Sequence, residues 1–354
     1  MDVRTHTAAE VAGGAVVESA LDPDSLLEPV LIVDLDGADA ATARAAAVLP
    51  ATYGGLTVGI CSGPVAPDFA PLCAALDLTY ATANGPADRR VVAVEDAGRA
   101  VDEFLTGVRR NPQASSIAGQ VLRTAEPLAV DAAIEVESLA YSTLQGGAEF
   151  GGWLAGRRRL GRPLPPVPAT APVVLSAEGN TLRITLDRPE RRNAYGTALR
   201  DALVEALRTA LLADSFTRIV LDGTGPSFCA GGDLDEFGHT PDTATAHLIR
   251  TRGGAARLMA RLADRVEVRL HGHCVGAGIE ISAFAGRVVA APDTVIRLPE
   301  VAMGLIPGAG GTVSVPRRIG RWRALHLFVT GVALSADRAL EWGLVDEIAG
   351  RPDD

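Results

Sequence analysis

The sequence predicts an α/β fold built from two parts. In both halves, short apolar runs typical of strands are followed by longer stretches with helical periodicity. The chain has 354 residues, which is more than one hydrophobic core usually serves. Five prolines crowd into residues 161–172, and this spacing excludes helix and central strand and predicts an extended linker. We therefore expect a first domain over residues 1–160, the linker over 161–172 and a second domain over 173–354.

The first half begins with strand-like runs and ends in helices. The runs PVLIVDLDG, LTVGICSG and RRVVAVEDA predict strands, and an Ala-rich helix is expected around residues 38–49. From Ala97 to Gly156 the pattern becomes helical, and no equally clear strand returns. We therefore expect an α/β domain that is helical toward its end.

The second half restarts with a hairpin and then alternates strands and helices. Two runs, VVLSAE and TLRITLD, flank a Gly-Asn pair that predicts a turn. Asn193 is a candidate N-cap for a helix to about Leu212, in which leucine recurs every four residues. A second helix is expected over roughly Thr243–Leu262, and a third starts near Ala277. Strands are expected at RIVLDGTG, RVEVRLHGHCV and RVVAAP.

Charge and cysteine content exclude several classes of function. The net charge of −10 argues against nucleic-acid or membrane partners, since phosphate binding needs a basic surface. All 33 basic residues are arginine, which excludes Schiff-base chemistry and the lysine-containing phosphate loop. The four cysteines show no CxxC spacing, so we expect them to be reduced thiols and we expect no metal site. With no apolar N-terminal stretch and no run of 18 apolar residues, we expect a cytoplasmic protein.

Three segments are rich in small residues; the first comes just after a predicted strand, and the second runs from a predicted strand into a helix N-terminus. They are FCAGGDLDE from Phe228, GHCVGAGIE from Gly272 and LPEVAMGLIPGAGGT from Leu298. Small residues leave backbone N–H groups accessible in a turn, and a helix N-terminus favours developing negative charge. Two such N–H groups directed at one point would form an oxyanion hole.

In order and spacing, these segments together with DRPERRNA and WGLVDEI resemble the crotonase (enoyl-CoA hydratase/isomerase) superfamily over about residues 172–348. The resemblance implies a ClpP/crotonase-like fold of repeated ββα units. It also implies that the thioester oxygen of an acyl-CoA is held by the backbone N–H groups of Ala230 and Ala277. The substrate- and CoA-binding positions of the family map to Ala230, Gly231, Gly232, Asp233 and Ala277.

The two glutamates that hold a water molecule in the hydratases map to Glu280 and Glu300. Their presence together implies an enoyl-CoA hydratase, a lyase that adds water to a 2-enoyl-CoA through an oxyanion-stabilised enolate. One carboxylate would take a proton from water while the acid form supplies a proton to the α-carbon. We assign the main acid/base role to Glu300 and water positioning to Glu280. The resemblance implies no cofactor beyond the CoA of the substrate, and a homo-oligomer, either a trimer or a hexamer.

Two other functions stay open at this stage. Arg297 and Tyr195 replace residue types that are usual in the family, which leaves room for an enoyl-CoA isomerase or another crotonase-type lyase or hydrolase. An alternative of a different class is a non-catalytic CoA-binding or interaction subunit. In that case the first 166 residues, with 12 arginines against 21 acidic residues, would form the interaction module.

The helical end of the first half also resembles the family. NPQASSIAGQVLR and ESLAYSTLQGGAEFGGWLAGRR are similar to the C-terminal helices of a crotonase, whereas the second half ends soon after WGLVDEI. We hypothesise that the first half is a degenerate crotonase-like copy whose helices supply the missing trimerisation and pocket-closing part. Residues 168–354 alone would then be insoluble or inactive. On this hypothesis, Arg157, Arg158 and Arg159 are candidates to meet the CoA phosphates.

Overall fold

The computed structural model describes residues 3, 5–14, 30–48, 53–82 and 88–350. Within these residues, three β-sheets carry helices on their faces, which confirms the α/β class. None of the helices in the described part of the chain combines the length and the apolar character that a membrane span needs.

The first half forms a parallel sheet whose strands lie in chain order. These strands are β1 Thr5–Thr7, β2 Val30–Asp34, β3 Leu56–Cys61, β4 Leu78–Thr82 and β5 Val91–Val94. Among the described residues, the short helices between them are α1 Ala8–Ala12, α2 Ala40–Ala46 and α3 Ala70–Ala75, the last preceded by a 3-10 turn, Pro67–Phe69. Because both faces of the sheet are covered, β2, β3 and β4 are buried along nearly their whole length instead of alternating between buried and exposed residues.

Four helices complete the described part of the first half. They are α4 Ala97–Arg110, α5 Pro112–Ala125, α6 Val130–Gln145 and α7 Ala148–Arg158. The side chain of Asp96 caps α4 by accepting the N–H of Arg99, and Pro112 opens α5 at a position where its missing N–H costs nothing.

A six-stranded sheet and a smaller sheet form the second half. The larger sheet has the order β14-β11-β9-β8-β7-β6 and the smaller one the order β10-β12-β13. The strands are β6 Val173–Glu178, β7 Thr181–Leu186, β8 Arg218–Gly223, β9 Val266–Leu270, β10 His273–Val275, β11 Arg287–Ala290, β12 Val295–Arg297, β13 Leu334–Ser335 and β14 Glu347–Ile348. The predicted hairpin is confirmed, since β6 and β7 pair antiparallel around Gly179-Asn180.

The helices of the second half differ from the prediction in two places. They are α8 Thr197–Leu212, α9 Thr243–Gly253, α10 Ala256–Arg261, α11 Ala277–Ser282, α12 Gly311–Ile319, α13 Arg321–Thr330 and α14 Ala336–Trp342, with 3-10 turns at Pro189–Arg191, Ala263–Arg265 and Glu300–Met303. Asn193 does not cap α8, because its side-chain amide binds Arg188 N–H and the carbonyls of Thr224 and Ser227 instead. The single helix expected from Thr243 is broken at Gly254, whose backbone is extended.

The two halves interlock across a shared core. Helix α6 packs on α9, α10 and α12, while α13 packs on β4, β5, α4 and α5. Trp322 Nε1 of α13 donates to the carbonyl of Leu76 at 2.9 Å, and Tyr80 Oη lies 2.8 Å from His326 Nδ1. The larger buried cluster contains residues of both halves, and a smaller one lies within the first half. The linker at residues 161–172 therefore divides the chain without dividing the core.

Candidate active site

A cavity of about 660 Å³ lies where the first half meets the second. All of the predicted site residues line it, namely Ala230, Gly231, Gly232, Asp233, Ala277, Glu280 and Glu300. Helix α6 supplies another wall through Ile134, Glu137, Ser138, Tyr141 and Gln145. Leu164 and Pro165 of the linker border the same space. Helix α6 of the first half therefore closes a pocket whose predicted catalytic groups belong to the second.

Two backbone turns meet at the floor of the cavity. Val275 N–H donates to the carbonyl of Cys229 at 2.9 Å, which aligns the turn after β10 with the turn that follows Phe228. Gly231 has φ +89°, and a Cβ on it would stand 3.0 Å from the carbonyl oxygen of Val275. A Cβ on Gly276 would lie 3.6 Å from the Cα of Gly231. The glycines thus allow the two turns to pack backbone against backbone.

The structure corrects one of the two predicted oxyanion donors. Ala230 N–H already donates to the carbonyl of Arg192 at 3.0 Å, so it is not available to a ligand. The N–H groups of Gly232 and Ala277, in contrast, have no protein acceptor among the described residues. Both residues line the cavity, one on each turn. The geometry therefore favours Gly232 and Ala277 as the pair of donors.

Arginines hold the first of these turns in place. The guanidinium of Arg191 binds both carboxylate oxygens of Asp233, at 2.6 and 2.8 Å. From α7 of the first half, Arg157 donates to the carbonyl of Leu234 at 2.8 Å and to Asp235 at 2.6 Å. The side chain of Asp233 therefore fixes the turn, and Arg157 is engaged within the protein instead of being free for a phosphate. Arg158 and Arg159 are exposed.

The two predicted catalytic glutamates are both buried, but their surroundings differ. Glu280, on α11, is 2% exposed, and its Oε2 accepts the N–H groups of Ala309 at 2.7 Å and Gly311 at 3.0 Å. Glu300 is 8% exposed and opens the 3-10 turn after β12. Its Oε2 is buried and has no hydrogen-bond partner among the described residues. A water molecule or a substrate carbon in the cavity would be the natural proton-transfer partner of this oxygen.

Burial sets the protonation of this pair. It raises the pKa of Glu300 to about 8. Burial and the neighbouring carboxylates of Glu300 and Glu137 raise the pKa of Glu280 well above its ordinary value, against two N–H donors that favour its charged form. Two buried carboxylates that line the same cavity do not readily ionise together. Near neutral pH the pair can therefore hold one proton beside one carboxylate.

A third buried glutamate belongs to the site and was missed by the sequence analysis. Glu137, on α6 of the first half, is 1% exposed and lines the cavity. Burial raises its pKa to about 7. The sequence feature that could have identified Glu137 is its position on the apolar stripe of α6. On the same side of this helix, Ala133, Ile134, Tyr141 and Leu144 are buried. A glutamate on such a stripe needs a partner inside the protein.

The two residues that depart from the family pattern occupy different places. Tyr195 lines the cavity, and its hydroxyl accepts the N–H of Ala255 at 3.4 Å. The side chain of Arg297 instead donates to the carbonyl of Gly331, at 3.0 and 3.1 Å. Of the two, Tyr195 is therefore the one placed to influence the shape of the pocket.

Comparison with known proteins relates the second half to one family. The family profile described as enoyl-CoA hydratase/isomerase matches residues 176–353. The 1,2-epoxyphenylacetyl-CoA isomerase of Escherichia coli is 33% identical over 181 residues, covering 50% of this chain and 69% of that protein. The 2,3-dehydroadipyl-CoA hydratase of the same organism is 33% identical over 176 residues, covering 50% of this chain and 68% of the relative. A crystal structure of an enoyl-CoA hydratase from Mycobacterium smegmatis has a TM-score of 0.48 at 31% identity, covering 51% of this chain and 71% of that one.

Proposed function

Because the chain belongs to the enoyl-CoA hydratase/isomerase family and has its crotonase fold, we propose that it adds water to a 2-enoyl-CoA thioester. The observation that carries this proposal is that Glu280 and Glu300 line the same cavity as two backbone N–H groups that find no acceptor in the described part of the chain. Hydration needs all four groups, since a water must be held and deprotonated while an enolate is stabilised.

The thioester oxygen is placed between the N–H groups of Gly232 and Ala277. As water adds to the β-carbon, the π electrons move onto this oxygen and form an enolate. Each donor directed at that oxygen is worth about 2.7–4 kcal/mol of transition-state stabilisation by comparison with oxyanion-hole donors elsewhere. Both donors are backbone groups held by packed turns, so little reorganisation accompanies the reaction.

The glutamates then divide the proton transfers. Glu280, whose Oε2 is held by two N–H groups, holds the water and takes its proton. Glu300, whose buried Oε2 meets no donor from the residues that the structure describes and whose pKa is raised to about 8, supplies a proton to the α-carbon from its acid form. One proton leaves the water and one reaches the substrate. The pair is reset when the proton on Glu280 passes back to Glu300.

The walls of the cavity suit a thioester with an apolar acyl group. Ile134, Tyr141, Tyr195, Phe237 and Val275 line it. Both Escherichia coli relatives are described as acting on CoA thioesters, which supports an acyl-CoA substrate here. Because the chain lacks lysine, charged contacts to the CoA phosphates must come from arginine.

Isomerisation is the second candidate function. It is favoured by the equal identity, 33%, to a relative described as an isomerase and to one described as a hydratase. The Glu300 carboxyl could move a proton between two carbons of the acyl chain without consuming water, and the same oxyanion donors would serve.

A panel of 2-enoyl-CoA thioesters, followed by loss of the conjugated enoyl absorbance, tests the proposal. Glu300→Gln should lower kcat by about 10²–10⁴-fold, while an acyl-CoA product still binds within a few-fold of the wild-type Kd. The matched control is Glu205→Gln, since Glu205 lies on α8 with its side chain 69% exposed. Hydratase activity that survives Glu300→Gln, or its loss in both variants, would contradict the assigned role.

A further inference from the structure

Four consecutive backbone N–H groups at the start of α12 alternate between two buried carboxylates. Those of Ala309 and Gly311 donate to Glu280. Those of Gly310 and Thr312 donate to Glu137, at 2.8 Å to Oε1 and 2.9 Å to Oε2. Residues 309–312 of the second half therefore bind two glutamates. The odd-numbered residues bind Glu280, a proposed catalytic residue, and the even-numbered residues bind Glu137 of the first half.

The contacts of Glu137 require a carboxylate. Thr312 Oγ1 also donates to Oε2 at 2.8 Å, so three donors converge on this side chain. Both oxygens act as acceptors, and an amide of the same size would turn its NH₂ group toward one of these donors. Gly310 adopts φ +105°, and a Cβ on Gly311 would stand 2.6 Å from Cγ of Glu280. The segment is thus tightly packed against Glu280 and is tied to the first half through Glu137.

We propose that Glu137 is a positioning residue for Glu280. By binding the N–H groups of Gly310 and Thr312, it fixes residues 309–312 so that the N–H groups of Ala309 and Gly311 hold the Glu280 carboxylate where the reacting water binds. The inference rests on the proposed hydratase function. It assigns a role in catalysis to the first half of the chain, which lies outside the family match at residues 176–353.

The charges around Glu137 give the proposal a second consequence. Glu280 and Glu300 face it from the second half, Arg250 faces it from α9, and Tyr141 belongs to its own helix. Arg250 stacks over the ring of Tyr141 and donates to Ser138 and Gln145. Ionised Glu137 raises the pKa of both Glu280 and Glu300. Removing its charge should therefore move the pH–rate profile to lower pH, which a purely structural role would not do.

The test is Glu137→Gln in the full chain. We expect kcat to fall about 10–100-fold with KM within about 3-fold, since small misplacement of a catalytic group has effects of this size. The pH–rate profile should move to lower pH. Amide hydrogen exchange of residues 309–312 should become at least about 10-fold faster, because the N–H groups of Gly310 and Thr312 lose a fixed acceptor and the segment that they anchor opens more readily. The matched control is Glu135→Gln, since Glu135 is two residues earlier on α6 with its side chain 58% exposed, and it should change none of the three readouts.

A folded Glu137→Gln protein with wild-type kcat and pH profile would overturn the proposal. If that variant does not fold, Thr312→Val is the alternative, because it removes one of the three donors to Glu137. It should lower kcat several-fold and speed amide hydrogen exchange of residues 309–312. Wild-type values for both kcat and exchange would overturn the proposal. If the wild-type chain hydrates no enoyl thioester, the proposed function fails by itself. The rate of amide hydrogen exchange in Glu137→Gln then tests separately whether Glu137 fixes residues 309–312. An exchange rate equal to that of the wild type would overturn this role of Glu137.

Discussion

The carboxylate of Asp77 and the guanidinium of Arg321 lie 3.4 Å apart, and they come from opposite halves of the chain. Both side chains are buried. Asp77 also binds Arg123 at 2.6 Å and accepts the N–H of Thr57 at 2.9 Å. This cluster joins β3, α5 and α13 beneath the shared core. Like the contacts of Glu137, this cluster connects the two halves of the chain. It binds the second half to the parallel sheet of the first half.

Replacing Asp77 should therefore destabilise the whole protein. Asp77→Asn leaves two arginine charges without their buried carboxylate, and breaking a buried pair in this way costs about 3–5 kcal/mol. Asp131→Asn is the control, because Asp131 is 55% exposed with its arginines 3.7 and 3.9 Å away, and it should cost less than about 1 kcal/mol. Urea unfolding measures both. Equal costs would show that the Asp77 cluster does not join the halves energetically.

Gly276 should tolerate no side chain. It has φ +48°, and a Cβ there would collide with Oε1 of Glu300. Gly276→Ala should abolish hydratase activity because the methyl group displaces the Glu300 carboxylate. Gly179→Ala is the matched control, since Gly179 has φ +55° in the β6–β7 turn with nothing within 4 Å of its Cβ position. It should lose about 1–2 kcal/mol of stability and retain full activity. An active Gly276→Ala enzyme would contradict the position of the Glu300 carboxylate beside Gly276.

Stability should fall as the pH rises toward 8. Burial raises the pKa of Glu300 to about 8, so the folded chain keeps this proton at pH values where the unfolded chain has released it. The folded state is thus favoured at acidic pH, and the advantage disappears between the ordinary glutamate pKa and 8, by at most ~1.4 kcal/mol per pH unit for this group. Glu300→Gln removes this contribution.

The measurement is urea unfolding of the wild type and Glu300→Gln between pH 5 and 8. The variant should gain stability relative to the wild type with each step in pH, because its amide does not ionise. Parallel curves would mean that Glu300 is not held in its acid form by burial.

The second half should not function alone. Without the first half, residues 168–354 lose the α6 wall of the cavity and expose the face of α13 that carries Trp322 and His326. We expect this fragment to be insoluble or inactive, as judged by sedimentation of the expressed protein and by enoyl-CoA turnover. A stable and fully active fragment would contradict the interlocked core.

Local sequence was sufficient to find the residues whose surroundings lie in their own turn. Glu280, Glu300, Ala277 and the small-residue turn from Ala230 all line the cavity as expected. The Ala230 N–H, which the motif marks as an oxyanion donor, is occupied by the carbonyl of Arg192, 38 positions earlier in the chain. Whether a backbone N–H is free depends on tertiary contacts that a motif does not contain.

Longer-range contacts account for the other differences. Asn193 matches the preference for an N-cap, yet its side-chain amide binds the N–H of Arg188 in its own loop and the carbonyls of Thr224 and Ser227 in the loop after β8. Glu137 depends on packing between helices that lie more than 100 residues apart, so its three donors are invisible in its own segment. That the first half is a degenerate crotonase-like copy stays a prediction.

The most direct test of hydration is the mass of the product formed in H₂¹⁸O. A 2-enoyl-CoA incubated with the enzyme should give a 3-hydroxyacyl-CoA heavier than the substrate by one molecule of labelled water, with the label retained on the acyl chain. The same reaction with Glu300→Gln should be slower by about 10²–10⁴-fold. A product of the same mass as the substrate would assign the isomerase reaction instead, and the absence of any product across the panel would contradict catalysis by this pair of glutamates.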